Sequence, residues 1–152
     1  MSYQVIARKY RPAKFSDITA QEHVTRTIQN ALRSGRIGHG YIFSGLRGVG
    51  KTTAARIFAR ALNCQKLIDD ADYLQQVTEP CGECESCRDF DAGTSMNISE
   101  FDAASNNGVD DIRTLRENVR YGPHYGCYRV FIFDDVQRLW VEYFYVVLMI
   151  LV

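Results

Sequence analysis

A charge surplus, an export signal and a membrane-length apolar run are all missing from this 152-residue chain. Its 18 Lys and Arg residues balance 18 Asp and Glu residues, so no global charge argues for a nucleic-acid or membrane surface as partner. The N-terminus is polar and reaches Arg8 and Lys9 without an apolar core, which does not fit a secretory signal. The apolar run at residues 143–152 is about half the length of a membrane span. Internal repeats and low-complexity tracts are absent. The three histidines, His23, His39 and His124, show no metal-binding spacing, and no Ser-His-Asp arrangement is suggested. Five cysteines without an export signal point to a reducing cytoplasm, where metal ligation is favoured over disulfides. Length alone allows one domain of ordinary size with a sizeable core.

What is present starts with Gly45-Leu46-Arg47-Gly48-Val49-Gly50-Lys51-Thr52, a match to the P-loop pattern. Before it, Tyr41-Ile42-Phe43-Ser44 reads as a short buried strand. After it, residues 51–62 carry helix formers with no Gly or Pro. Strand, glycine-rich turn and helix bring backbone N–H groups and the positive end of a helix dipole to one polyphosphate. Lys51 is then expected to reach the β- and γ-phosphates, and Thr52 to ligate Mg²⁺, with Thr53 beside it. The charge balance also hides an asymmetry. Residues 1–66 hold twelve Lys and Arg against Asp17 and Glu22. Such a basic half suits triphosphate and DNA, although solvated helix faces would look the same.

Elsewhere the pattern is alternately helical and extended. Thr19-Ala20-Gln21-Glu22 has the form of a capping box, followed by an apolar stripe at Val24, Ile28 and Leu32 and a stop at Ser34-Gly35. A polar, cysteine-bearing insertion covers residues 64–94. Residues 97–103 are expected to form a strand with Ile98 and Phe101 inward. Asn106-Asn107-Gly108 is turn chemistry, and a helix follows with Asp110 and Asp111 in its first turn. Ile112, Leu115 and Val119 mark its buried face. Gly122-Pro123 stops it, and residues 128–133 form a buried strand ending at Asp134-Asp135. Strand–helix–strand–helix–strand predicts a parallel sheet flanked by helices.

Two further constellations bear chemistry. A hydrophobic strand ending in an acidic pair downstream of a P-loop has the form of a Walker B element, in which Asp134 would hold Mg²⁺ opposite Thr52. Asp135 stands where such ATPases usually place a Glu that orients the attacking water, and is one methylene shorter. Nucleotide binding is therefore the firmer expectation and hydrolysis the weaker. The second constellation is Cys81, Cys84 and Cys87, spaced by two residues, with Cys64 upstream. Four thiols in this arrangement match a closed tetrahedral zinc site of structural type, with metal-free thiols or a redox pair as alternatives. Cys127 reads as a small core residue.

Together these residues resemble the γ/τ subunit family of bacterial DNA polymerase III, the ATPase of the sliding-clamp loader. The similarity runs over about residues 1–139. It is carried by Ser2-Tyr3-Gln4-Val5, Arg8-Lys9-Tyr10-Arg11-Pro12, Gln21-Glu22-His23-Val24, the P-loop, Ala61-Leu62-Asn63-Cys64, the cysteine cluster, Asp102-Ala103-Ala104-Ser105, and the strand ending at Asp134. The resemblance implies an α/β AAA+ module, a three-layer P-loop NTPase over residues 1–152 that is incomplete, with a Cys₄ zinc insertion. It implies ATP at residues 45–53 with the adenine near Tyr10, Arg11 and Pro12, and zinc on Cys64, Cys81, Cys84 and Cys87. It also implies partners: other clamp-loader subunits, the sliding clamp and primer-template DNA during replication, with no membrane.

The departures are as informative as the matches. Ala20 replaces a usual glycine, and the stretch between Cys64 and Cys81 is longer than expected, as a loop extension would be. Asp135 and Gln137 stand where the family has Glu and His. Residues 140–152 are almost wholly apolar where the family continues into a mixed helix, and the sensor residue, arginine finger and helical lid have no counterpart. An arginine finger contributes about 10³–10⁵ in turnover. The competing expectation is a non-hydrolysing nucleotide- and zinc-binding module of the same descent. The apolar tail is expected either to promote association or to cover the sheet as a helix or strand.

Overall fold

The computed structural model describes residues 11–19, 21–46, 50–102, 109–124, 128–134 and 144–151, with backbone alone for Val109, Ile112 and residues 144–151. A 3-10 turn, Phe15–Asp17, leads into helix α1, Glu22–Ser34. Strand β1, Gly40–Gly45, and helix α2, Lys51–Leu62, flank the P-loop. Three short helices follow: α3 Gln65–Asp69, α4 Ala71–Gln76 and α5 Glu85–Ala92. Strand β2, Ile98–Asp102, helix α6, Val109–Val119, strand β3, Arg129–Asp134, and strand β4, Phe144–Leu151, complete the order.

The four strands form one sheet in the order β1-β4-β3-β2. β2 and β3 are parallel, as the crossover through α6 requires, with Ile98 opposite Val130 and Asp102 opposite Asp134. β4 runs antiparallel to both β1 and β3 and lies between them. The expected all-parallel sheet is thus corrected to a mixed one. The apolar tail is a strand of the sheet itself, pairing with β1 over residues 144–149 and with β3 over residues 147–151, and an interior position suits a run without charge.

α2 is the centre of the core. Ala55, Phe58 and Ala59 have no exposed surface, and Tyr41 of β1 meets Phe58 edge-on at 4.9 Å. Around it gather Ile28 and Leu32 from α1, Leu67 from α3, Phe90 from α5, and Ile98, Val130 and Ile132 from the sheet. Each such side chain stabilises by about 1.5–3 kcal/mol through burial. The opposite face of β2 and β3 carries Phe101 stacked on Phe131 and Phe133, with ring centroids at 6.3 and 5.7 Å.

Several local expectations change. Ile98 and Phe101 are three residues apart, so a strand's two-residue period sends them to opposite faces. The reading of 41–44 as a buried strand fails at Ile42, which is 69% exposed, while Tyr41 and Phe43 face the core. Thr19 does not cap α1. The N-cap is Gln21, whose carbonyl accepts from Val24 N and Thr25 N, because Ile18 packs against the core in an extended conformation and leaves Thr19 outside the helix. The stretch after Cys64 is two helices rather than a long loop, and Leu67 carries part of it into the main core. Leu115 and Val119 of α6 are half-buried; the side chain of Ile112 lies outside the described residues. The stripe of α1 and its stop at Gly35, in the left-handed conformation, stand as read.

Candidate functional site

β1 delivers the chain to the P-loop at Gly45, whose φ of 153° is closed to other residues, and α2 starts after Gly50 at φ 86°. Gly50 is the N-cap and has no side chain to bond the first turn, and that turn holds no acid. The first-turn N–H groups of α2 lack intrahelical acceptors by geometry, so the helix presents its positive end toward the loop. Lys51 curls back over this opening: its Nζ donates to Gly45 O at 2.9 Å and Leu46 O at 2.5 Å. Arg47, Gly48 and Val49 lie outside the described residues.

Across the sheet, Thr52 Oγ1 donates to Asp134 Oδ2 at 3.0 Å, joining positions 82 residues apart. The pairing follows from topology. Thr52 sits in the first turn of the helix after β1, and Asp134 ends β3, two strands away from β1. Asp102 ends the parallel neighbour β2 at the same level. A cleft of about 820 Å³ opens here, lined by Arg11, Pro12, Thr52, Arg56, Asp102 and Asp134 among others. Arg56 pairs with Glu100, and Arg60 with Asp91 at 2.6 Å, so these arginines hold α2 to β2 and α5. A second pocket of about 410 Å³ lies on the other flank of Lys51, bounded by Ile18, Gln21, Val24, Ile42 and Phe43. Asp135 and Tyr10 lie outside the described residues.

The cysteines converge at a separate place, where α2 ends and α5 begins. The sulfurs of Cys64, Cys81, Cys84 and Cys87 all lie within 4.8 Å of one another, and none is in a disulfide. A tetrahedral zinc with bonds of 2.3 Å needs sulfurs about 3.8 Å apart, so the cluster fits the ion with small adjustment. Cys81 N donates to Cys64 Sγ at 3.4 Å; Glu83 N and Cys84 N donate to Cys81 Sγ at 3.4 and 3.3 Å. Gly82, at φ 75°, makes the tight turn that aims those two groups. The thiol of Cys87 hydrogen-bonds Cys64 and pulls it down to about 4 against the opposing effect of burial. The same bond, with burial, pushes Cys87 up. Burial also raises Cys81. Four sulfurs at ligand spacing, two of them accepting backbone N–H groups, are chemically suited to a cation that takes the place of the thiol protons.

Residues 20–148 match the family described as DNA polymerase III, delta subunit. The chain belongs to this DNA polymerase III family. Its curated relatives are tau and gamma subunits, whose N-terminal part it fits. It is 47% identical over 139 residues to DNA polymerase III subunit tau of Bacillus subtilis (strain 168), covering 91% of this chain and 23% of that protein. Against DNA polymerase III subunit tau of Escherichia coli (strain K12) it is 46% identical over 139 residues, 91% of this chain and 20% of the relative. Against DNA polymerase III subunit gamma/tau of Mycobacterium tuberculosis (strain ATCC 25618 / H37Rv) it is 48% identical over 134 residues, 87% of this chain and 22% of the relative. The chain therefore spans less than a quarter of the length of these three relatives.

Sequence reasoning did not find three features. Ile18, Gln21 and Val24 border the pocket beside Lys51, and only the apolar character of Ile18 and Val24 hinted at it. Asp102 was quoted as part of a motif, but its pairing with Asp134 depends on strand register. Glu79, buried beside the cysteines, accepts from the backbone of Phe15 and Ser16, a contact with no local signal.

Proposed function

We propose that the chain binds Mg·ATP between β1, α2 and β3, as part of a DNA polymerase III clamp-loader subunit of the tau/gamma kind. The 3.0 Å bond from Thr52 to Asp134 carries the reading, because it sets a hydroxyl and a carboxylate side by side next to the P-loop helix N-terminus. That is the arrangement a phosphate-bound magnesium needs. When bound, Mg²⁺ supplies neutralisation of phosphate charge. The chain's own residues supply the rest. Backbone N–H groups of residues 45–53 bind the polyphosphate, and Lys51 exchanges two neutral carbonyls for phosphate oxygens, which are stronger acceptors. Thr52 and Asp134 hold the magnesium, and Asp135 would orient water.

For the base, Arg11 and Pro12 line the cleft with Thr52, whereas the pocket at Ile18, Val24 and Ile42 is apolar and adjoins Lys51 from the other side. The apolar pocket is the better seat for a planar ring. Cys64, Cys81, Cys84 and Cys87 would hold one Zn²⁺ in a closed, structural site over residues 64–94. Partners would be the other clamp-loader subunits, the sliding clamp and primer-template DNA, in the cytoplasm. Among the described residues no helix is long and apolar enough to cross a membrane.

A second reading, binding without efficient hydrolysis, has its own support. β4 lies directly beside the P-loop strand, with Phe144 opposite Gly45 and Tyr145 opposite Ser44, and holds no acid, base or amide side chain. Groups that sense or polarise a γ-phosphate are not supplied from that strand. Calorimetric titration with Mg·ATP tests the primary reading. Lys51→Ala is expected to weaken binding about 10–100-fold, the scale of a lost charge-assisted contact. Equal affinity in that variant would sink it. Phosphate release then separates the two readings: rapid turnover by the 152-residue chain removes the second.

A further inference from the structure

The buried strap between α4 and the cysteines carries the most strained backbone among the described residues. Thr78 is β-branched, has φ 52°, and is fully buried. Such a conformation persists only where the surroundings over-determine it. Here they do. Thr78 Oγ1 donates to Leu74 O at 2.6 Å and accepts from Arg33 Nε at 2.7 Å, while Thr78 O accepts from Gln29 Nε2 at 3.4 Å. The bend turns Glu79 inward, where it is 8% exposed. Its carboxylate then grips the start of the 3-10 turn with both oxygens: Phe15 N donates to Oε2 at 2.7 Å and Ser16 N to Oε1 at 2.9 Å. Two residues on, Cys81 enters the thiol cluster and donates its N–H to Cys64 Sγ.

The gripped turn stands between the two cavities at the P-loop. Immediately before it, Arg11, Pro12 and Ala13 line the cleft of Thr52 and Asp134; immediately after it, Ile18 and Gln21 line the pocket beside Lys51. Cys64 closes the circuit, since it follows the C-terminus of α2, the helix whose other end carries Lys51 and Thr52. Both ends of the strap-and-helix frame therefore meet at the four sulfurs.

We propose that Glu79 is a positioning residue that couples the cysteine cluster to the nucleotide cleft, so that a metal on the four thiols tightens nucleotide binding by fixing the Phe15–Asp17 turn. This rests on the reading of the P-loop cleft as a Mg·ATP site. A carboxylate that merely stabilised the fold would change melting without changing affinity in the folded protein. Coupling of this kind is typically about 5- to 150-fold and is reciprocal, so nucleotide must tighten metal by the same factor.

The test uses the full chain and Glu79→Gln, with zinc content by elemental analysis, Mg·ATP affinity by titration and amide exchange at Phe15 and Ser16. The variant is expected to keep one zinc, to bind Mg·ATP about tenfold more weakly, and to exchange those two amides faster. Stripping zinc from the wild type should give the same weakening, and stripping it from Glu79→Gln little more. Unchanged affinity in the zinc-loaded variant, or equal losses on stripping both proteins, overturns the proposal. If the variant does not fold, zinc titration of the wild type with and without saturating Mg·ATP decides, because the absence of any nucleotide effect on zinc affinity also overturns it. Wild-type binding that is lost in Lys51→Ala keeps the cleft reading intact whichever way Glu79 falls; a wild type that binds no nucleotide removes both.

Discussion

Replacing Thr52 by Val and Asp134 by Asn, singly and together, separates the structural value of their contact from its value to magnesium. The hydroxyl-to-carboxylate bond is 3.0 Å long and half-buried, so it stands among charge-assisted hydrogen bonds worth about 1.5–3 kcal/mol, at the lower end because water reaches it. Asp134→Asn keeps an oxygen acceptor at the same place and should cost about 1 kcal/mol in the absence of ligand. Thr52→Val removes the donor and keeps the shape. Denaturant unfolding of the four proteins is therefore expected to give a coupling energy of about 1 kcal/mol. Nucleotide titrations with Mg²⁺ and with a chelator then read the function. The wild type should bind ATP more tightly with Mg²⁺, and both single variants should lose most of that gain while keeping metal-free binding through Lys51. A coupling energy of zero would refute the contact. Retention of the Mg²⁺ effect in Asp134→Asn would refute the metal assignment even if the contact is real.

Gly50→Ala should destabilise by about 1–2 kcal/mol through backbone strain alone, because φ is 86° and a Cβ there meets nothing within 4 Å; denaturation measures it, and a cost near zero would mean that the loop does not hold this conformation. Zinc is expected at one equivalent per chain purified under reducing conditions and should be lost in Cys81→Ala, with elemental analysis of both proteins deciding. At free zinc about 1,000 times its Kd, binding adds about 4.1 kcal/mol, or roughly 8–16 °C in melting temperature at this size, and a chelator should remove that increment; an unchanged melting curve would exclude a structural metal.

What could be read from residues alone was local chemistry. The helix from Lys51 to Leu62 was legible to the residue because glycine stops on one side and helix formers on the other are both short-range signals. That Cys81, Cys84 and Cys87 lie together was legible because two-residue spacing keeps thiols close in any local fold, whereas Cys64 joins them through the packing of α2. The start of α1 was misread for the opposite reason. Thr19 and Glu22 satisfy the capping pattern, but burial of Ile18 holds the chain extended and moves the cap to Gln21. Ile98 and Phe101 were both assigned inward because both are apolar, although a strand has two faces and this sheet buries something on each.

The tail shows where such reasoning stops. An uncharged run from Phe144 to Leu151 fits a buried helix, an adhesive edge or an internal strand equally well, and nothing within it chooses. The choice comes from residues far away. β1 and β3 both present unsatisfied backbone to a space one strand wide, and a run with high β-propensity fills it by pairing on both sides. Running antiparallel, it brings its first residues rather than its last beside Gly45. The same pairing that completes the sheet therefore decides which residues stand opposite the end of β1, and here they are Phe144 and Tyr145. Tyr145→Asn puts an amide-bearing residue at the register position opposite Ser44 without adding charge to the sheet. If the strand is what limits turnover, this variant should release phosphate faster than the wild type at unchanged Mg·ATP affinity. A rate that does not move would show that this strand is not what limits turnover.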